Sequence, residues 1–404
     1  MPHVRSSPFA RLVPTARPVA GARRARRAPV GLALLAAALA GCATSPPVTQ
    51  TPPPSSGRAT PASSEPVPAT PLPANTPPDI RWPLKTREHV DLWLHGYALL
   101  QNDTTQVPFF RRGYREAMLR RRSEARVTTM LDANVDTLRA QLAARPALIG
   151  GQFVPLYFAD WDALQTAIRA FLEAEGNPRR AGTPLLAQQV AFLAQSFATP
   201  EDRDWLRLFS LSLEDERARF YDGYWKAEQQ ERLPIFATVD SLWQRVYRPK
   251  LQGFLNNSRQ SNGDLMLALP LDGEGRTVSG GATESVVTVT YPASRDSAAQ
   301  AIYVAVHEFV GGTAAQVLAD HTSPAEKRAG LDQQLQSAAA VRAGLMLLQR
   351  VAPELAEGYA TYYLHSAGAA PGADPVAALA TTFPLPDAVR DGLAQQITNV
   401  LGGI

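Results

Sequence analysis

Cysteine is all but missing from this chain, with Cys42 the single one in 404 residues. One thiol excludes an intramolecular disulfide and any cysteine-based zinc knuckle, so packing has to hold the fold together. Histidine is also scarce, at six residues, which leaves few imidazoles for a metal site. No Gly-x-Ser-x-Gly elbow and no phosphate-binding loop occurs, and Asp272-Gly-Glu-Gly lacks the acidic spacing of a calcium loop. Acidic residues are absent before Cys42, where the charged side chains are seven arginines. Taking those seven positive charges away moves the formal net charge from +3 to −4. A mildly acidic remainder has no overall field to draw in phosphates, so nucleic acid is not an expected partner.

What is present begins with an uncharged run from Val30 to Ala40. Its eleven residues, at about 1.5 Å each, are too short for a hydrocarbon core of about 30 Å and suit the apolar region of an export signal. The run ends in Leu39-Ala40-Gly41-Cys42. That ending resembles the lipobox of bacterial lipoproteins, which implies removal of residues 1–41 and a lipid anchor on the Cys42 sulfur. Ala43 rather than Asp follows the cysteine, which in a two-membrane bacterium resembles lipoproteins sent to the outer membrane. The expected location is therefore the cell envelope, tethered to a membrane and facing the periplasm or the cell surface.

Between Ala43 and Ile80 stand twelve prolines, with Ser, Thr and Ala in most of the gaps. Such a composition cannot bury enough apolar surface to offset its ordering entropy, so 42–80 is expected to be a lipidated, extended spacer.

From Arg81 on, apolar residues recur at helical spacing. Val90, Trp93, Leu94, Tyr97 and Leu100 mark one amphipathic helix over Glu88–Gln101. Further helices are predicted over 112–142, 161–175, 185–196, 200–228 and 238–256. Asp264–Pro270 and Ser285–Pro292 are short, apolar or β-branched runs and read as strands. Helices resume over 297–320, 324–351, 353–365 and 387–400. This order predicts an α+β fold, predominantly α-helical: a helical region at 81–260, then a small sheet and more helices at 261–404, the whole of 81–404 forming either one domain or two. Aromatic groups such as Trp93, Tyr97 and Tyr114, or Phe220, Tyr221 and Tyr224, have the spacing of core residues rather than of a binding groove.

Chemistry concentrates in Val306-His307-Glu308-Phe309-Val310-Gly311 and in Glu357-Gly358-Tyr359. The first segment resembles the zinc-binding helix of the zincin metallopeptidases, His-Glu-x-x-His, with Gly311 in place of the second histidine. The second resembles the helix that supplies the third zinc ligand in the gluzincin branch. The resemblance covers 283–364. It implies zinc held by His307 and Glu357, Glu308 as general base, and Ser285–Tyr291 as the edge strand beside which an extended peptide lies. With Gly311 at the ligand position, only two protein ligands remain, against the usual three. His321 is about 21 Å further along the same helix and cannot complete the set.

Two functions stay open at this point. One is a zinc peptide hydrolase with a degenerate or atypical metal site. The other is a non-catalytic envelope lipoprotein that binds an extended peptide by strand addition or is purely structural. In the second, His307 and Glu308 form a buried polar pair bonded to Tyr359, Tyr362 or an arginine, and Gly311-Gly312 lets a neighbouring helix come close.

Overall fold

The computed structural model describes residues 81–101, 105–279 and 284–403. Cys42 and the segments expected to be an export signal and a spacer lie outside the described residues.

A two-residue strand β1 (Leu84–Lys85) leads into α1 (Glu88–Leu100). Then follow α2 (Tyr114–Ala125), α3 (Met130–Ala144), α4 (Trp161–Glu173) and α5 (Pro184–Ser196). The single helix expected over 112–142 is broken. Arg126 ends α2 in the left-handed region, and a capping box between Thr129 and Asp132 starts α3. The reverse happens next, where α6 (Pro200–Glu216), α7 (Asp222–Leu242) and α8 (Arg248–Asn257) form one continuous helical path. Wider π-turns at Arg217–Tyr221 and Trp243–Tyr247 join them, and Pro234 is carried inside α7.

The sheet consists of β1, β2 (Asn262–Ala268), β3 (Arg276–Ser279) and β4 (Glu284–Thr290), in the order β1-β2-β4-β3. β4 runs parallel to β2, from Asn262↔Glu284 to Ala268↔Thr290, and antiparallel to β3. Ser285–Tyr291 was expected to carry the sheet edge. Instead β4 is hydrogen-bonded on both sides, and β3, from the Gly-rich connection, forms the edge. An extended peptide cannot add to β4; the outer strands are the two-residue β1 and β3.

After β4 come α9 (Ala299–His321), α10 (Pro324–Arg328), α11 (Leu331–Val351), α12 (Ala356–Ser366), α13 (Pro375–Thr382) and α14 (Asp387–Gly402). Gly330, at φ +75°, splits the helix expected over 324–351. α13 was not anticipated from the sequence; the Asp374 side chain caps its start. The fold is mainly helical with a small mixed sheet, an α+β arrangement.

Strand alternation divides the interior in two. Leu265, Leu267, Val287 and Val289 join the core formed with α9, α11, α12 and α14. Met266, Ala268 and Val278 join the core formed with the helices before the sheet. α9 is long and apolar enough to span a membrane by length and composition, yet most of that stretch is buried inside the first core. This central position carries His307 and Glu308 under the sheet.

Candidate functional site

α9 is built from Ile302, Val304, Ala305, Val306, Phe309 and Val310, all at 0% exposure, so the two polar residues among them need partners. His307 is 6% exposed, and its Nδ1 lies 3.1 Å from Glu308 Oε1. The backbone N–H of Gly275 donates to the same carboxylate oxygen at 3.1 Å, and Thr277 Oγ1 stands 3.5 Å from the other. Strand β3 is thereby tied to α9 through Glu308. Burial alone would pull the His307 pKa down, but the Glu308 hydrogen bond and the charges of Glu308 and Glu274 leave it raised. Burial would lift Glu308, yet the His307 bond and charge, with Arg276 and the Gly275 N–H, leave it lowered. The two directions agree on a buried ion pair.

The imidazole stacks on Tyr363, with ring centroids 5.6 Å apart and planes 24° apart. Tyr363 in turn donates from its hydroxyl to Gly273 O at 3.0 Å. His307 Nε2 is buried and has no partner among the described residues. Glu274 is the carboxylate that sequence reasoning passed over. It accepts from Ser337 Oγ at 2.7 Å, and burial raises its pKa despite the nearby His307. Its signal lay in Asp272-Gly-Glu-Gly, which was weighed only as a calcium loop. Gly275 has a steric reason to be glycine, since a Cβ there would sit 1.9 Å from Thr288 O.

Glu357 does not join this group. It is exposed near the start of α12, while Tyr359 and Tyr363 of the same helix pack against Tyr303 and His307 of α9. Two residues from Tyr359, at roughly 100° per residue, put Glu357 on the far side of α12. Gly358 beside it has a packing role, because a Cβ would meet the Tyr303 hydroxyl at 2.2 Å. Gly311 and Gly312 have no such role: nothing lies within 4 Å of a Cβ at either, so close helix packing does not explain them. Gly344 does receive a neighbouring helix, since a Cβ there would meet the Tyr359 hydroxyl at 2.1 Å.

Among the described residues no three His, Cys, Asp or Glu side chains stand close enough to hold a metal ion. The donor set of the zinc reading, His307 with Glu357, is not assembled; Glu274 acts on His307 through its charge, with no bond between them among the described residues. Comparisons with family models, with curated proteins and with solved structures find no match.

A second histidine–carboxylate pair occupies the helical layer before the sheet. His95 and Glu216 are both at 0% exposure, with His95 Nε2 3.1 Å from Glu216 Oε1 and Nδ1 3.1 Å from the Tyr114 hydroxyl. Glu216 also receives Arg122 Nη1 at 3.0 Å and the Thr129 hydroxyl. Every polar atom of His95 is used. Burial lowers its pKa ahead of the raising effect of Glu216, so a neutral ring donates from Nε2 and accepts from Tyr114. His89 bonds the carbonyls of Pro155 and Phe158. The aromatics Trp93, Tyr97, Tyr114 and Tyr221 lie in the core, as their spacing indicated.

Proposed function

We propose that this protein is a lipid-anchored envelope protein, tethered through Cys42, whose metallopeptidase-like helix has become a binding scaffold rather than a hydrolytic centre. The observation that carries this reading is the use made of Glu308. A general base must reach a water beside the substrate, whereas this carboxylate is held by His307, the Gly275 N–H and Thr277. The pair acts as a strut that stiffens the edge strand β3 from beneath. An extended peptide pairing with the open edge of β3 is the partner this arrangement suits, with backbone hydrogen bonds supplying affinity.

A second reading keeps the enzyme. It rests on the orphaned Nε2 of His307, a buried nitrogen that coordinates a metal when the ring is neutral, with the Glu274 charge acting on the same imidazole. Zinc there would act as a Lewis acid toward a carbonyl, with Glu274 in the ligand role expected of Glu357.

Thermal melts separate the two. Full-length protein in detergent is stripped with chelator and remelted with low micromolar zinc, beside His307→Ala. Under the scaffold reading, zinc moves neither curve. A rise of several degrees in the unsubstituted protein that His307→Ala abolishes would reject the scaffold reading in favour of the metal one, by linkage of binding to folding.

A further inference from the structure

Two stretches of the chain, 146–159 and 181–200, contain no charged residue, in a sequence that is 19% charged. The first holds the 3-10 segment Pro146–Tyr157 and the second holds α5. They lie side by side. Arg145, just before one stretch, pairs with Glu201, just after the other, at 3.1 Å, and Tyr157 packs on Phe192 with ring centroids 4.4 Å apart. Phe153, Val190 and Leu193 turn inward and fill the core. The rest faces water. Leu185 is 64% exposed, the most of any large apolar side chain among the described residues, and Tyr157 is 49% exposed. Leu185 and Phe192, two helical turns apart on α5, continue into Tyr157 as one apolar strip. Gln188, Ala191 and Gln195 complete an exposed helix surface without a charge.

A helix on the surface of a globular protein ordinarily turns charged residues to water, so this face is out of place in bulk solvent. Its border does not correct that, because the charges bounding the two stretches are engaged. Arg145 is held by Glu201, Arg180 by Glu175, and Asp160 accepts from the Ala163 N–H. Arg276 lies over the Phe153 ring, 4.7 Å from its centroid, and no ion pair engages it among the described residues. A half-exposed tyrosine beside leucine, with a guanidinium at the rim, is the chemistry of a membrane–water boundary, where apolar groups enter the acyl region and arginine meets phosphate.

We infer that the face formed by 146–159 and 181–200 rests on a phospholipid bilayer. The inference takes its partner from the anchored reading above and is independent of β3 and of any metal at His307. With Cys42 anchored, residues 43–80, at about 3.1 Å each when extended, keep the folded part within about 120 Å of the bilayer. At that effective concentration a small apolar face is enough to hold the body down.

The test places the full-length, processed protein in vesicles of phosphatidylethanolamine and phosphatidylglycerol, with a nitroxide quencher on some acyl chains. Acylation occupies the only native thiol, so Leu185→Cys and, on α7, Leu233→Cys each take one environment-sensitive fluorophore. The label at 185 should shift to the blue and be quenched, and the label at 233 should do neither. Tyr157→Glu, added to Leu185→Cys, should cut the quenching about fivefold, the order of one charge at a bilayer interface. Both side chains are exposed, and a melting curve confirms that each variant is folded. Equal quenching at the two positions, none at 185, or no response to Tyr157→Glu overturns the inference. A blue shift at 185 that needs no vesicles and grows with protein concentration overturns it in favour of a protein partner. Uptake of fluorophore by the unsubstituted protein at Cys42 means that the anchor has failed instead. Sedimentation of that chain with the same vesicles then decides: loss in Leu185→Glu upholds the lipid face, and no change rejects it.

Discussion

The two buried histidine–glutamate pairs differ in how completely they are satisfied, one closed on every side and one with a ring nitrogen left over. His95 and Glu216 come from helices 121 residues apart, and Tyr114, Arg122 and Thr129 fill their remaining bonds. His307 and Glu308 are chain neighbours, and the imidazole keeps one buried nitrogen unbonded, with the charge of Glu274 acting on it from beyond bonding distance. A closed network rigidifies a core. An open one retains capacity for a ligand and costs stability until it is filled.

The largest effect expected from breaking this comparison is at Glu216. Glu216→Ala takes from buried Arg122 the deeper of its two carboxylates, leaving only Asp132, and takes from His95 its acceptor. It should cost about 3–5 kcal/mol of unfolding free energy in denaturant titration. A loss under about 1 kcal/mol would mean that the saturated pair is not structural. Next is Gly275→Ala, where a Cβ must displace Thr288 O and with it the Gly275 N–H bond to Glu308. About 2–3 kcal/mol should be lost, and hydrogen exchange across β3 should accelerate; unchanged protection of the 276–279 amides would break the link between strand and strut.

The pH dependence sharpens the comparison, because the two imidazoles shift in opposite directions. The His95 pKa is lowered, so the unfolded chain binds the proton first, and stability falls as pH drops below the ordinary value of 6.5. The His307 pKa is raised, so its contribution is complete below 6.5 and disappears as pH climbs through the folded value above it. Glu308, lowered, loses its share only below its ordinary 4.5. Melting curves of His95→Gln and His307→Gln, each subtracted from the unsubstituted protein across pH 4–9, should therefore slope in opposite senses. Subtraction cancels groups common to all three, including buried Asp91, whose carboxyl is pushed up to about 7. Slopes of the same sign would show that His307 is neutral and that the ion pair is misassigned. The smallest expected change is Gly311→Ala, where open space and helical backbone favour a gain of about 0.5–1 kcal/mol; a loss would reveal a use for this glycine that its surroundings do not show.

Much of this was legible along the chain, and for a local reason. The helices around Trp93, Ile168 and Leu393 announce themselves through apolar residues three and four apart, and that periodicity is a property of neighbours in sequence. The mainly helical α+β class followed from it. Where packing overrode local signals, the reading slipped: the gap expected between 228 and 238 lies inside α7, and the glycines around β3 hid an edge strand that only pairing with β4 creates. His307 and Glu308 were visible as a dipeptide because they adjoin.

What the sequence by itself determined is most of the helical segments, the two seven-residue strands, the core role of the large aromatics and the pairing of an imidazole with a carboxylate on one apolar helix. Tertiary structure alone decided which carboxylates reach that imidazole. Glu274 arrives from a loop 33 residues upstream of His307, whereas Glu357, which the motif nominated, is turned away by the packing of Tyr359 and Tyr363 on α9. The physical reason is that a helix's phase is fixed by whichever face buries the most apolar surface. Two tyrosines outweigh one glutamate in that choice, and no spacing rule along the chain records the outcome.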